Sequence, residues 1–198
     1  MKTNAVRTLI IANVAVYICQ YFARGDIDVL FALWPLQSVA GEPEFHLWQV
    51  VTYAFLHSTT DFSHLLFNML GLWIFGAQVE RCVGSRRLLA CYFASVIAAA
   101  LSQLFVPALL GTEPEATIGA SGGVFGLLLA YGYLFSRHKV IPLILPIPMP
   151  AWLFAALYAA VELVLGVTGW QASVAHFAHL GGMIGSACVV WRWRRFRQ

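Results

Sequence analysis

From Leu9 to Phe22 the chain runs without a charged side chain, and stretches of similar character return five more times before its end. A helix needs about 20 mostly apolar residues to cross about 30 Å of hydrocarbon. On that criterion six spans are expected, at about 7–24, 63–81, 87–108, 119–136, 151–167 and 173–191. The fourth and fifth are short. Pro142, Pro146, Pro148 and Pro150 argue against helix just before the fifth. Residues 25–62 form the one connection with room for structure of its own. With Trp34, Pro35 and Trp48 in it, this long outer loop is expected to lie partly in the membrane interface.

Composition closes off the soluble alternative. Of 198 residues, 60% are hydrophobic and 11% charged, and the mean hydropathy is +0.75. Soluble domains carry about 25% charged residues. The expected fold is therefore an all-α polytopic membrane protein, with residues 1–198 forming a single domain. The run Leu9–Phe22 is not followed by a clear small-residue cleavage site, so it is expected to stay in the membrane as a span. Cys19, Cys82, Cys91 and Cys188 lie in or beside apolar runs, with no CxxC or paired spacing. They read as small buried hydrophobes rather than disulfides or metal ligands.

Charge orients the spans. Lys2, Arg7, Arg81, Arg86, Arg87, Arg137, Lys139, Arg192, Arg194, Arg195 and Arg197 fall on the side that holds both termini, and only Arg24 falls on the other. Asp26, Asp28, Glu42, Glu44, Asp61, Glu113 and Glu115 lie opposite them. The positive-inside rule makes both termini cytoplasmic, and a missed span would scramble the pattern. The basic tail WRWRRFRQ reads as an interfacial anchor toward anionic headgroups, not as a nucleic-acid site.

Polar side chains inside a bilayer are costly and mark function by default. Counted from the basic residue at each cytoplasmic end, Ser121, His179, His64 and Asn68 fall ~20–26 Å above the inner boundary, in one layer beneath the outer face. His64 and Asn68, four apart, share one helix face. Gly119 and the preceding GTEPEATIGAS stretch stop the fourth span short of the outer surface. The loop about 109–118 is expected to dip into the molecule, shielded from lipid, and to deliver Ser121 at the mouth of that helix.

A serine hydroxyl needs a base to become a nucleophile, and His179 is the candidate. No acidic residue is evident to orient the imidazole, so the pair reads as a dyad. Backbone N–H groups around Ala120 and Ser121, at the positive end of a helix, suit a developing oxyanion. His64 and Asn68 are candidate side-chain donors to it. Gly119, Gly122 and Gly123 clear side chains from around the nucleophile.

Three motifs carry a resemblance. GASGGVFG (119–126) resembles the GxSG nucleophile motif of rhomboid intramembrane proteases. HLLFNMLGLWIFGAQVE (64–80) is similar to their second helix, and AHLGG (178–182) to the last-helix motif with its histidine. The three occur in family order and together cover a six-span rhomboid bundle. The resemblance implies a serine endopeptidase that cleaves transmembrane substrate proteins near the outer membrane surface. Ser121 is then the nucleophile and His179 the general base, with His64, Asn68 and the Ser121 amide binding the oxyanion. It implies no cofactor and no metal, single-span membrane proteins as partners within a lipid bilayer, and a bacterial inner (plasma) membrane location. It also implies that the long first loop lies in the membrane plane and that the fifth span acts as a gate. Three positions depart from the common pattern: Gln49 follows Trp48 where Arg is usual, Phe125 stands where Tyr is frequent, and Ser186 replaces a glycine.

The remaining polar residues have plainer readings. His57 and His176 are expected to be wet interfacial histidines, since no HExxH supports a zinc protease. Glu80 is expected to cap or to pair with Arg81 or Arg86. Glu162, a carboxylate inside the fifth span, either bonds a neighbouring helix or faces the pocket. Gly181 and Gly185 form a GxxxG expected to bring the sixth span against the fourth. A catalytically dead relative that escorts membrane proteins would lack Ser121 or His179. A transporter predicts inverted repeats or midplane charges, and no repeat is found.

Overall fold

The computed structural model describes residues 4–23, 25–36, 41–111, 116–142, 146–170 and 175–196, the side chains of Ala108 and of residues 194–196 excepted. Lys2, Arg24, Glu113, Glu115 and Arg197, which enter the charge count, lie outside these residues, as does the middle of the loop about 109–118. Helices make up most of the chain. They are α1 (Asn4–Ala23), α2 (Asp26–Phe31), α3 (Gln49–Thr52), α4 (Phe62–Gly71), α5 (Ala77–Val83), α6 (Ser85–Leu110), α7 (Ser121–Leu134), α8 (Ala151–Thr168) and α9 (His176–Val190). A π-helical turn, Leu72–Gly76, joins α4 and α5 into one rod over Phe62–Val83. Among the described residues, four elements are long and apolar enough to cross a membrane: α1, the α4–α5 rod, α6 and α8. The other two expected spans are shorter helices, α7 with 14 residues and α9 with 15.

Apolar side chains such as Phe22, Phe67, Trp73, Val164 and Ile184 stand exposed on these helices. Such a surface is at home in hydrocarbon, where hiding it brings no gain. With no hydrophobic drive between helices in lipid, close packing of small residues must hold them together. Here α9 is the hub, packing most extensively on α6 and α7. A Cβ on Gly182 would collide with the Gly122 carbonyl, and one on Gly126 would meet Ser95. The GxxxG expectation needs correcting. Gly181 and Gly185 face Ala94 and Ala98 of α6, not the fourth expected span, α7. Gly182, a residue further round α9, is the one that meets α7.

The segment before α8 forms a two-residue antiparallel ladder, Lys139–Val140 with Met149–Pro150, and Pro150 then caps α8. Proline supplies a fixed φ where a helix begins and has no N–H to strand there. At the far end of the same rod as His64, buried Glu80 accepts the Ala5 N–H at 2.8 Å, the Val6 N–H at 3.1 Å and the Ser85 hydroxyl. The first turn of a helix has no internal partners for its N–H groups, so Glu80 caps α1 from another helix.

The connection between α1 and α4 is folded onto the bundle. Leu33 and Thr117 exchange backbone hydrogen bonds of 3.0 and 2.9 Å, and the Gly119 N–H donates to the Tyr53 carbonyl at 3.0 Å. The Tyr53 hydroxyl in turn reaches the Val96 carbonyl at 2.9 Å. The irregular backbone just before Ser121 is thus paired with protein, as burial requires. Gln49 is fully buried, and its amide serves four backbone groups, of Trp34, His46, Leu30 and Glu44, at 3.1–3.4 Å. The glutamine that departs from the usual arginine is an anchor of this loop in its own right.

Candidate active site

Ser121 is the first residue of α7, and Gly119 two positions earlier has φ +124°. A side chain is disfavoured there twice over, by the backbone and by space, since a Cβ would lie 2.7 Å from His64 Nε2. The turn at Gly119 leaves the serine at a helix N-terminus whose first N–H groups have no partner within the helix. From α9, His179 reaches Ser121: Nε2 lies 2.8 Å from Oγ, 58 residues apart in sequence. Phe125, one turn along α7, stacks flat on that imidazole with ring centroids 4.2 Å apart and planes 5° from parallel. Stacking fixes the ring plane, and it needs no phenolic hydroxyl.

Around the pair lies a cavity of about 650 Å³ whose lining includes Ser58, His64, Asn68, Ser121, His176 and His179. All four residues placed in one layer from sequence therefore converge. His64 Nδ1 accepts the Ser58 N–H at 3.3 Å. A neutral ring then carries its proton on Nε2, on the side facing Gly119. Asn68 donates one amide hydrogen to the His64 carbonyl at 2.8 Å and has a second to offer.

The expectation that no acidic residue stands by His179 is overturned. Glu162 Oε2, from α8, lies 3.0 Å from His179 Nδ1 and 2.7 Å from His176 Nδ1. The His176 contact is a well-aligned hydrogen bond, whereas that to His179 is a close approach off the N–H direction. The same observation corrects the reading of His176, which is buried against Glu162 and the Trp170 carbonyl rather than wet. His57 is also enclosed. It is fully buried, its backbone N–H and carbonyl are gripped by Gln20, and neither ring nitrogen meets a hydrogen-bond partner among the described residues. Burial pushes the His57 imidazole down to about 4, and its neighbour His64 adds to the shift. Sequence reasoning missed Gln20. Its signal was an amide within the apolar run of the first helix, a run that also holds Asn13.

Glu162, His176 and His179 also offer three ligand atoms within 4.8 Å of one another. Tetrahedral zinc at ~2.0–2.1 Å from its ligands holds them ~3.3 Å apart. The 2.7 and 3.0 Å separations found here are hydrogen-bond lengths, and the set is read as such.

A hydroxyl paired with an imidazole, in a cavity inside a bundle of lipid-facing helices, defines a multi-pass membrane protein with a serine–histidine site. Comparison with known proteins makes this particular. The Rhomboid domain model matches residues 44–196, and the chain belongs to the rhomboid family. It is 33% identical over 143 residues to Rhomboid protein 1, mitochondrial, of Saccharomyces cerevisiae, covering 72% of this chain and 40% of that protein. It is 30% identical over 190 residues to Rhomboid protease GlpG of Yersinia pestis and of Yersinia pseudotuberculosis, covering 93% of this chain and 61% of each relative. The chain thus spans less than two thirds of the length of these relatives.

Proposed function

We propose that this protein is an intramembrane serine endopeptidase. Its substrates are single-span membrane proteins, cut near the outer surface of the membrane. The observation that carries the reading is the 2.8 Å contact between His179 Nε2 and Ser121 Oγ, at a glycine-cleared helix N-terminus inside a cavity. Ser121 Oγ attacks the scissile carbonyl while His179 Nε2 takes its proton. The oxyanion that forms is met by the Ser121 N–H at the positive end of α7, by His64 Nε2–H and by the second amide hydrogen of Asn68. His179 returns the proton to the leaving amine, and water then frees the acyl group by the same steps in reverse order. This chemistry uses side chains and backbone alone, with no cofactor and no metal.

The membrane arrangement belongs to the same reading. The six helices α1, α4–α5, α6, α7, α8 and α9 are the spans of a single domain, 1–198. Both termini are cytoplasmic and the outer segment 25–62 lies on the opposite face. The relatives named as GlpG proteases come from bacteria, which supports an inner-membrane location. The test is cleavage of a single-span substrate by purified protein in detergent or vesicles. Ser121→Ala and His179→Ala are each expected to lower the rate by about 10⁴-fold or more while leaving the melting temperature near wild type. Wild-type rates in both variants would sink the assignment.

A further inference from the structure

Glu162 has no evident reason to sit in an apolar helix. A carboxylate there costs several kcal/mol unless it is paired and hydrogen-bonded. Its partners are two imidazoles on α9, one turn apart, and both present Nδ1 to the same oxygen, Oε2. His176 is tied at its other nitrogen, with Nε2 at 3.2 Å from the Trp170 carbonyl. His179 is tied at its other nitrogen to Ser121. The result is one chain of polar contacts: Trp170 carbonyl, His176, Glu162, His179, Ser121.

The proton count gives this chain a use. To accept the serine proton, His179 must present a bare Nε2, so its own proton must stay on Nδ1. A histidine with nothing at Nδ1 adopts the opposite tautomer as readily, and that tautomer cannot act as the base. A carboxylate at Nδ1 selects the useful form. We infer that Glu162 is a positioning residue for His179, completing a serine–histidine–glutamate line in which His176 holds the carboxylate in place. This rests on the protease reading above.

During attack the Ser121 Oγ–carbon bond forms, the carbonyl π pair moves onto oxygen and the hydroxyl proton passes to Nε2. The Nδ1 proton stays where it was, now facing Glu162 as a carboxylate beside an imidazolium. When the C–N bond breaks, the Nε2 proton leaves with the amine and the neutral tautomer is restored. The off-line Glu162 contact fits a resting site, since such bonds tighten when substrate is engaged. The other groups facing the ring are His64 from α4 and Ser121 and Phe125 from α7. None of them is an acid, so Glu162 has no substitute among them.

The experiment measures kcat and KM on a single-span substrate for the full-length wild type, Ser121→Ala, Glu162→Gln, Glu162→Asp and His176→Gln. Glu162→Gln is expected to lower kcat by about 10²-fold with KM changed by less than about twofold. Glu162→Asp, which keeps the charge, is expected to recover part of that loss, and His176→Gln to lose less than Glu162→Gln. The labelling rate of Ser121 with a fluorophosphonate probe, scaled to folded protein, follows kcat in each variant. This second reading keeps the test valid if a variant is poorly stable. Wild-type kcat and labelling in Glu162→Gln overturn the inference and leave the protease reading intact, provided wild type cleaves and Ser121→Ala does not. A Glu162→Gln loss confined to KM or to melting temperature, at an unchanged labelling rate, also overturns it. Failure of wild type itself to cleave or label tells against the reading underneath.

Discussion

Two buried carboxylates, at opposite ends of the bundle, do different work. Glu80 is gripped by the Ala5 and Val6 backbone N–H groups and by a serine hydroxyl, none of which gains or loses a proton near neutral pH. Glu162 lies against two imidazoles, hydrogen-bonded to His176 and in close approach to His179, whose other nitrogen reaches Ser121. Both are fully or nearly buried, both sit on apolar helices, and sequence offers little to separate them. The partners separate them. Polarity buried against fixed backbone fastens one helix to another, whereas polarity buried against an imidazole that reaches the proposed nucleophile belongs to the proposed chemistry. The first kind should be read out in stability and the second in rate.

That distinction breaks first at Glu80. Glu80→Ala strands two N–H groups in the first turn of α1, and is expected to cost roughly 2–4 kcal/mol. Protein that remains folded should cleave with wild-type kcat. The check is thermal unfolding in detergent alongside kcat per active site. A Glu80→Ala protein of normal stability and poor kcat would erase the contrast between the two regions.

Gly119→Ala probes the other region. Its positive φ and its distance to His64 make alanine there worth about 1–3 kcal/mol of strain. Because the displaced atom is His64 Nε2, a proposed oxyanion donor, the greater loss is expected in kcat, by about 10²-fold. The two readings together sharpen the comparison: near the cavity, a modest change of structure should be a large change of rate. Unchanged kcat at reduced stability would move Gly119 into the company of Glu80.

Four of the helices were legible because their apolar runs are long enough for hydrocarbon, and the polar residues within the apolar runs stood out against them. Depth counted along each span brought Ser121, His179, His64 and Asn68 to one level, and the structure has them lining one cavity. What the sequence hid were matters of azimuth. A count along a helix gives height but no compass bearing, so sequence alone leaves Glu162 between a neighbouring helix and the pocket and makes His176 look wet. The same blindness put Gly181 and Gly185 against the wrong helix, when a turn of one residue sends Gly182 there instead. Gln49 failed to announce itself for another reason. An amide that serves four carbonyl and N–H groups of a loop has no sequence pattern, because its partners are backbone.

His57 lies beside the cavity and takes no part in it, which makes it the finest test of the contrast. It is an imidazole enclosed without an acceptor or donor for its ring among the described residues, 5.2 Å from the His64 ring, and held neutral down to about pH 4. An unfolded histidine protonates near 6.5. Between those values the unfolded chain binds the extra proton and the folded chain does not, so stability is full above about pH 6.5 and drains as the pH falls toward 4. His57→Leu removes that drain. At pH 7.5 the two proteins are expected to melt within a few degrees of each other and to cleave alike. At pH 5 the wild type should have lost more of its melting temperature than the variant has. Parallel melting curves across that range would mean that His57 is charged or solvated in the folded protein. The polarity around the cavity would then be wetter than the burial of this ring implies, and Glu162 would face a weaker field than the line to Ser121 requires.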